Sequence, residues 1–168
     1  MEGEPLVRRA AATALASRCS SVRVVVGAHA GPVEASLAGL DVTVVANPSW
    51  EEGMASSIRA GIHAVAADIP RAEAALLLLA DQVAVSPALL DELIERFESG
   101  DADLVACAYA GTQGPPALFG RRYFADLEEL RGDRGARSVL SAHHGELALV
   151  DFQEGAHDVD TPADLRRT

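Results

Sequence analysis

The sequence contains no lysine, so all 14 of its basic residues are arginine, and its 25 acidic residues give a formal net charge of −11. An excess of negative charge repels a phosphodiester backbone, which argues against a general nucleic-acid-binding protein. The acidic groups could instead concentrate a divalent cation, or they could simply keep the protein soluble. The charge therefore argues against nucleic acid as a partner and is compatible with a bound divalent cation.

Aromatic residues are also scarce, at 4% of the chain, although 49% of the residues are hydrophobic. The core must be built from Val, Leu, Ile and Ala, which is typical of helices packed on a parallel sheet. A chain of 168 residues has the length of one ordinary domain, and no linker or repeat divides it. We therefore predict a single domain over residues 1–168.

Cysteines are few, and the two that are present, Cys19 and Cys107, lie far apart and outside any CxxC motif. This usage is typical of a reduced, cytoplasmic protein. The longest apolar run, residues 74–80, is far too short to span a bilayer, and no basic segment leads into an apolar stretch at the N-terminus. We expect a cytoplasmic protein that has no membrane partner.

Strand and helix patterns alternate along the whole chain. Apolar, β-branched runs predict strands, and amphipathic runs with capping residues predict helices. The strands fall at residues 22–27, 42–46, 75–80, 104–110, 117–119 and 147–152, and the helices at residues 4–19, 32–40, 54–67, 86–98, 121–130, 136–143 and 161–167. This order predicts an α/β fold whose mostly parallel sheet is covered on both faces. Ligands of such sheets bind beyond the carboxyl ends of the strands.

Asp81 follows the apolar run 76–80 at the predicted end of a strand. A carboxylate at this place would face the binding crevice, where Mg²⁺ is held by one or two carboxylates together with substrate phosphates. An aspartate that merely forms the turn after the strand is the alternative.

The segment DVDTPADL, residues 158–165, offers a second acidic position. Asp160 or Thr161 could cap the last helix, with Pro162 in its first turn. Capping is the simpler interpretation, but a cap and a metal ligand can occupy the same loop.

The segment NPSWEEGMASSIRAG, residues 47–61, follows a strand and opens a helix. Gly53 permits a close backbone approach, and Ser56 and Ser57 bring hydroxyls to the helix N-terminus. Such a terminus suits a polar ligand or an anion, and an ordinary capped loop is the alternative.

Two further turn-rich segments, residues 111–116 and 132–137, follow apolar runs. Arg134 and Arg137 in the second segment are candidate phosphate contacts because a guanidinium binds oxyanions through paired hydrogen bonds. Arginines that are merely solvated are the alternative.

Taken in order, the segments GEPLV (3–7), NPSWEEGMASSIRAG (47–61), LADQ (79–82), GDRGAR (132–137) and DVDTPADL (158–165) resemble the MobA-like nucleotidyltransferases. Within that group the molybdenum-cofactor cytidylyltransferases are the most similar. The resemblance implies a Rossmann-like three-layer α/β/α sandwich of the nucleotide-diphospho-sugar transferase type. It also implies transfer of a nucleoside monophosphate from CTP or GTP to a phosphorylated acceptor such as the molybdopterin cofactor, with release of pyrophosphate.

The resemblance assigns roles to particular residues. Asp81 matches the Mg²⁺-binding aspartate of the family, and Asp160 matches its second acidic position near the metal, so both are predicted catalytic and metal-binding residues. The loop that lines the nucleotide and substrate pocket is matched by Gly53, Met54, Ser56 and Ser57. Arg137 keeps its predicted role as a phosphate contact.

The chain departs from the family pattern at three places. Val83 stands where the family usually has Pro, and Pro115 stands where it usually has His. The family also opens with a strand and a phosphate loop of the form L-A-A-G-x-S-x-R-M-G-x-x-K, and the present chain begins after it. Without that strand, strands 22–27 and 75–80 would flank a gap as open edges. The sheet could close up, a partner could fill the gap, or the domain could be N-terminally truncated, and we favour truncation.

Two other functions remain as alternatives. A chain without the phosphate loop could be a non-catalytic remnant or binding subunit. Alternatively, a nicotine-blue-oxidoreductase-like enzyme on the same scaffold would use a nicotinamide cofactor. The choice between CTP and GTP, the acceptor, and a homo-oligomeric state are all left open by the sequence.

Overall fold

A computed structural model describes residues 4–156 of the chain. The helices are α1 (Leu6–Leu15), α2 (Ala30–Ser36), α3 (Met54–Asp68), α4 (Pro87–Glu98), α5 (Phe124–Glu128) and α6 (Arg137–Ala142). The strands are β1 (Arg23–Val26), β2 (Thr43–Ala46), β3 (Ala74–Leu77), β4 (Leu104–Tyr109), β5 (Thr112–Gly120) and β6 (Leu147–Asp151). Over residues 4–156, no helix is both long enough and apolar enough to cross a membrane. The helix predicted over residues 161–167 lies outside the described residues.

The first two strands form a parallel pair in which Arg23 lies opposite Thr43 and Val26 opposite Ala46. Both strands are short and rich in valine, whose branched side chain suits the pleated backbone. Helix α2 provides the crossover between them, as parallel strands require. The predicted strand–helix–strand order is confirmed here.

Helix α4 begins where its capping residues predict. The hydroxyl of Ser86 accepts a hydrogen bond from the Leu89 amide at 3.3 Å, and Pro87 occupies the first turn, where its missing N–H costs nothing. Leu90 and Leu93 lie on one face of the helix and are fully buried. The cap thus fixes the start of the helix, and the apolar face fixes the side that packs on the sheet.

The other four strands form one sheet in the order β3-β5-β4-β6, and this sheet is mixed. Strand β6 runs parallel to β4, whereas β5 runs antiparallel to both β3 and β4. The cause is a two-residue hairpin turn at Ala110 and Gly111, whose φ angles of 48° and 72° match the twist of the flanking strands. The α/β class is confirmed, and β5 is the strand that departs from the parallel pattern.

Strand β5 is also much longer than the sequence pattern predicts. We expected residues 111–116 to form a turn-rich loop before a short strand at 117–119, but β5 spans Thr112–Gly120. Its register against β4 shifts because Ala106 pairs with Ala117 and the next residue, Cys107, pairs with Gly114. Two prolines, Pro115 and Pro116, are therefore extra residues in a bulge. Because proline has no N–H to offer a ladder, a bulge is where a strand tolerates it.

The side chains of the sheet alternate between two buried clusters. On one face Leu104 and Ala106 pack with Phe119, Ile62 of α3 and Leu140 of α6. On the other face, the alternating sheet residues Val105, Cys107 and Leu118 pack against Ala14 of α1 and against Leu90 and Leu93 of α4. Helices thus cover both faces, as the predicted three-layer sandwich requires.

The two sheets are not joined to each other by any strand among the described residues. In that part of the chain β1 pairs with β2 alone and β3 pairs with β5 alone. The expectation that β1 and β3 have open edges is confirmed over residues 4–156. Each such edge presents backbone N–H and C=O groups that a further strand could pair with.

We expect Phe119→Ala to lower the free energy of unfolding by about 3–5 kcal/mol, because Phe119 is fully buried and its removal leaves a cavity in the core. Chemical denaturation monitored by circular dichroism measures the loss. Leu149→Ala is the matched control, since Leu149 is 46% exposed, and it should change stability by less than about 0.5 kcal/mol. Equal losses in the two variants would contradict the assigned core.

The two cysteines should differ in reactivity. Cys107 is fully buried, and burial, followed by the nearby charge of Glu92, raises the pKa of its thiol to about 12. At pH 8 this thiol is almost entirely protonated and unreactive, whereas Cys19 is partly exposed. Titration of the native protein with a chromogenic disulfide should show one fast thiol, and a second fast thiol appearing before unfolding would contradict this arrangement.

Candidate functional site

Asn47, at the carboxyl end of β2, holds the loop that leads into α3. Its side chain is 4% exposed, and its Nδ2 donates to the hydroxyls of Ser56 at 2.8 Å and Ser57 at 3.0 Å. The Oδ1 of Asn47 accepts from the Ser49 amide at 3.0 Å, and Ser56 in turn donates to the Gly53 carbonyl at 2.8 Å. The two serines that we predicted to face a ligand therefore also tie this loop to the strand.

Gly53 lies at the sharp entry into α3, where its φ of 101° is one that few other residues adopt. A Cβ at this position would lie 2.7 Å from the carbonyl group of Gly132 and would also collide with the carboxylate of Asp133. The Gly132 carbonyl accepts a hydrogen bond from the Ala55 amide at 3.0 Å. The structure thus brings together two segments, 47–57 and 132–135, that the sequence predicted separately.

Met54 lies beside this contact and is 51% exposed. A Cβ on Gly135 would be 3.0 Å from its sulfur, so the thioether rests against the backbone of the 132–135 segment. Of the predicted loop residues, Met54 is exposed, Ser57 is partly buried and Ser56 is buried. A bound molecule would therefore meet Met54 and the backbone at Gly53 before it meets Ser56.

Asp81 lies in the turn that follows β3, four residues after the strand ends at Leu77. Two side-chain hydrogen bonds hold the turn in place. Arg9 of α1 donates from Nη2 to the Val83 carbonyl at 2.8 Å, and the buried Gln82 donates from Nε2 to the Pro115 carbonyl at 2.8 Å. These contacts fix the backbone on which the Asp81 carboxylate is carried.

The Asp81 carboxylate itself is incompletely satisfied. Its Oδ1 is buried and has no hydrogen-bond partner among the described residues, and the same is true of Oε1 of Gln82. A buried carboxylate oxygen without a partner is costly, so this oxygen is available to a ligand. A divalent cation fits this oxygen, because hard cations bind carboxylates and amide oxygens. The other predicted metal ligand, Asp160, lies outside the described residues.

Tyr109, at the carboxyl end of β4, connects the Asp81 turn to Arg137. Its hydroxyl donates to the Pro115 carbonyl at 3.1 Å and accepts from Nη2 of Arg137 at 2.9 Å. Pro115 O therefore accepts from both Gln82 and Tyr109. Arg137, at the start of α6, also lies over the Tyr109 ring, with its guanidinium carbon 5.7 Å from the ring centre. The chain of contacts runs from the Asp81 turn to the guanidinium.

The structure thus places the predicted residues in two groups. The first holds Gly53, Met54, Ser56 and Ser57 against the 132–135 segment, and the second links the Asp81 turn to Arg137. Because Arg137 lies two residues after Gly135, the two groups share one stretch of backbone. Between residues 4 and 156, His, Cys, Asp and Glu side chains form no group of three or more that could hold a metal, so Asp81 would need ligands of another kind or from elsewhere.

Sequence reasoning did not single out Tyr109, and it gave Asn47 and Gln82 no role of their own. The rule that ligand-proximal residues follow strands would have found Asn47, which stands directly after β2. The role of Tyr109 depends on the bulge in β5, which brings the Pro115 carbonyl to it. No local signal in the sequence marks that contact.

Two curated proteins are similar to this chain in sequence. Purine catabolism protein PucB of Bacillus subtilis is 29% identical, over 96% of this chain and 82% of its own length. Nicotine blue oxidoreductase of Paenarthrobacter nicotinovorans is 29% identical, over 98% of this chain and 83% of its own length. Both similarities extend over nearly the whole chain.

The crystal structure of Rv0371c from Mycobacterium tuberculosis is 30% identical, with a TM-score of 0.77, over 96% of this chain and 82% of that one. A second crystal structure of Rv0371c contains manganese, and it matches with 29% identity and a TM-score of 0.74. The model of the MobA-like NTP transferase domain matches residues 1–147. The protein therefore belongs to the MobA-like NTP transferase family and has the nucleotide-diphospho-sugar transferase fold.

Proposed function

We propose that the protein transfers a nucleoside monophosphate, CMP from CTP, to a small phosphorylated acceptor such as the molybdopterin cofactor. A phosphate oxygen of the acceptor attacks the α-phosphorus of the nucleotide. The new P–O bond forms as the bond from the α-phosphorus to the bridging oxygen breaks, and pyrophosphate leaves with that oxygen. Membership of the nucleotidyltransferase family supports the reaction class. The choice of CTP and of the acceptor rests on the resemblance of the sequence to the molybdenum-cofactor cytidylyltransferases.

The observation that carries the proposal is the buried Oδ1 of Asp81, in the turn after β3, which has no hydrogen-bond partner among residues 4–156. We assign Asp81, together with Asp160, to an Mg²⁺ ion. When bound, this cation neutralises negative charge on the phosphates of the nucleotide. The manganese in the crystal structure of a 29% identical relative supports a divalent cation in this family.

The other residues bind and orient the reactants. Gly53 lets the backbone at Gly132 and Asp133 pack on the start of α3, and Met54 offers an exposed apolar surface next to this contact. We assign this loop, with Ser56 and Ser57, to the nucleotide. Arg137, held by Tyr109, is assigned to an oxyanion of a reactant, because a fixed guanidinium binds oxyanions in a defined orientation. The two thiols, neither of which is in a disulfide, agree with a cytoplasmic setting.

A nicotinamide-dependent reaction is the second candidate. It is favoured by the nicotine blue oxidoreductase, which is 29% identical and matches 98% of this chain. In that case the 53–57 loop would hold a dinucleotide, and the protein would release no pyrophosphate.

A titration of the 168-residue chain with CTP, GTP and NADPH, each with and without Mg²⁺, separates these candidates. Tightest binding of CTP that requires Mg²⁺, together with pyrophosphate release in the presence of an acceptor, is the expected result. Preferred binding of NADPH would favour the second candidate, and failure to bind any of the three would contradict both.

Asp81→Asn should lower the affinity for Mn²⁺ by at least about tenfold, since even groups behind a metal ligand contribute that much. The substitution keeps the size of the side chain and removes its charge. Titration of Mn²⁺ followed by electron paramagnetic resonance measures the bound fraction. Asp101→Asn, an exposed aspartate before β4, is the matched control and should bind as the unaltered protein does. Unchanged affinity in Asp81→Asn would remove Asp81 from the metal site.

Gly53→Ala tests the loop assigned to the nucleotide. The added Cβ collides with Gly132 and Asp133, so the two segments must separate and the affinity for CTP should fall. Gly39→Ala is a matched control, because Gly39 has a similar φ of 82° but open space around its Cβ. Both variants should lose about 1–3 kcal/mol of stability to backbone strain, while only Gly53→Ala should weaken CTP binding. Equal CTP affinities in the two variants would contradict the assignment.

A further inference from the structure

Tyr109 is buried, yet its hydroxyl lies between a charged side chain and a backbone carbonyl. The residue is 6% exposed. Its hydroxyl accepts from Nη2 of Arg137 at 2.9 Å and donates to the carbonyl oxygen of Pro115 at 3.1 Å. Because a guanidinium can only donate, the single proton of the hydroxyl is directed toward the carbonyl. Arg137 thus determines the direction in which Tyr109 donates.

The same carbonyl holds the turn that carries Asp81. Nε2 of the buried Gln82 donates to Pro115 O at 2.8 Å. Rotation of this amide by 180° would turn its oxygen against the oxygen of Pro115, so the bond fixes the amide in one orientation. The Val83 amide donates to the Asp81 carbonyl at 3.0 Å, which orders the backbone on both sides of Gln82. The Asp81 turn is therefore attached to Tyr109 through one shared oxygen.

The three hydrogen bonds form a series, and bonds in series strengthen one another. A charged donor polarises the hydroxyl of Tyr109 and makes it a better donor to Pro115. Without Arg137 the proton of Tyr109 would no longer be directed to that oxygen, and the bond that holds the bulge would weaken. A change at the guanidinium should therefore alter the position of Gln82.

The packing around Tyr109 leaves no room for compensating movement. A Cβ on Gly114 would lie 2.6 Å from Nε of Arg137 and 2.7 Å from the Tyr109 hydroxyl oxygen, so both groups pack on the β5 backbone. The ring of Phe152 meets the Tyr109 ring edge to face, with centroids 6.2 Å apart. A Cβ on Gly155 would be only 2.8 Å from Cδ1 of the same ring. The hydroxyl is thus held by the walls of its pocket as well as by its hydrogen bonds.

The other tyrosine of the chain, Tyr123, makes similar contacts that lead to no shared carbonyl. It is 3% exposed, its hydroxyl accepts from Nη2 of Arg122 at 2.7 Å, and it donates to the carboxylate of Glu146 at 3.0 Å. Glu146 directly precedes β6, so this group lies at the opposite end of the sheet from Tyr109, which ends β4. Tyr123 therefore provides a matched comparison for the loss of a buried hydroxyl.

We propose that Tyr109 is a positioning residue that couples the two halves of the site, so that the affinity of the Asp81 turn for a divalent cation depends on the guanidinium of Arg137. This inference rests on the proposed function, in which Asp81 binds the cation. It gives Arg137 a role that requires no contact with the cation. Direct electrostatics has the opposite sign, because a guanidinium repels a cation and its removal should strengthen cation binding.

Titration of the full chain with Mn²⁺ alone, followed by electron paramagnetic resonance, tests the coupling. Arg137→Gln and Tyr109→Phe should each lower the affinity for Mn²⁺ by about three- to tenfold, the size typical of coupling through packed networks. Arg137→Gln added to Tyr109→Phe should cause no further loss, because the link is already broken. Tyr123→Phe should bind Mn²⁺ as the unaltered protein does. A higher affinity in Arg137→Gln, or additive losses in the double variant, would overturn the inference.

Two glycines of β5 provide a second pair of variants in which no polar group is removed. Gly114→Ala pushes against Arg137 and the Tyr109 hydroxyl, whereas Gly120→Ala places its Cβ 2.8 Å from the Asp103 carbonyl oxygen at the other end of the strand. Neither glycine has a positive φ, so contact alone distinguishes the two changes. Both variants should lose stability, but only Gly114→Ala should lower the affinity for Mn²⁺. Equal affinities in the two would contradict the coupling.

Hydrogen exchange of the turn separates failure of this inference from failure of the proposed function. Without any metal, Tyr109→Phe should speed exchange of the Val83 and Val85 amides, which are hydrogen-bonded within the turn, and Tyr123→Phe should not. Unchanged exchange would overturn the coupling. Mn²⁺ binding that is lost in Asp81→Asn but unaffected by Arg137→Gln would contradict the inference alone, whereas absence of Mn²⁺ binding by the unaltered protein would contradict the proposed function and the inference with it.

Discussion

The carbonyl oxygen of Pro115 is the acceptor on which the geometry of the site depends. It receives the side-chain amide of Gln82 and the hydroxyl of Tyr109, at 2.8 and 3.1 Å, and so uses both of its lone pairs. The oxygen is available because Pro115 lies in the bulge of β5. The bulge is flanked by Gly114, which pairs with Cys107, and by Ala117, which pairs with Ala106. An acceptor in the regular part of the ladder would already be bonded to a neighbouring strand.

This one atom connects parts of the chain that are far apart in sequence. Gln82 lies 33 residues before Pro115, and Arg137 lies 28 residues after Tyr109. Of the four residues in this chain of contacts, Gln82, Tyr109 and Pro115 are buried, and Arg137 packs against the backbone at Gly114. A buried hydrogen bond is stronger, and breaking it costs more. The turn with Asp81 and the guanidinium of Arg137 therefore hold their positions together, and neither can move without loss of a bond at Pro115 or Tyr109.

Much of the fold could be predicted because local signals and tertiary packing agree. Valine-rich segments favour strands and form β1 and β2, and Ser86 caps the helix that its sequence predicts. The apolar face of α4 can be buried only against the sheet. The position of the Gly53 loop between a strand and a helix predicts a site. In the structure that glycine has a positive φ, and Gly132 and Asp133 occupy the space where a Cβ would lie.

Strand β5 and the contacts it creates could not be predicted in the same way. The segment GTQGPP carries the residues of a loop, and only the pairing of β4 with β5 makes it a strand. Tyr109 ends a strand whose alternation explains it as a core residue, so nothing local indicates its hydroxyl contacts. Side-chain networks of this kind depend on register between distant segments, which composition and periodicity do not encode.

The bulge at Pro115 and Pro116 limits how this region can vary in length. Deletion of one proline would leave a bulge of a single residue and shift the carbonyl that Gln82 and Tyr109 share, and deletion of both would remove that carbonyl. Homologous chains that keep this network should therefore tolerate substitutions along β5 far better than insertions or deletions, and length changes should collect in the loops at its two ends.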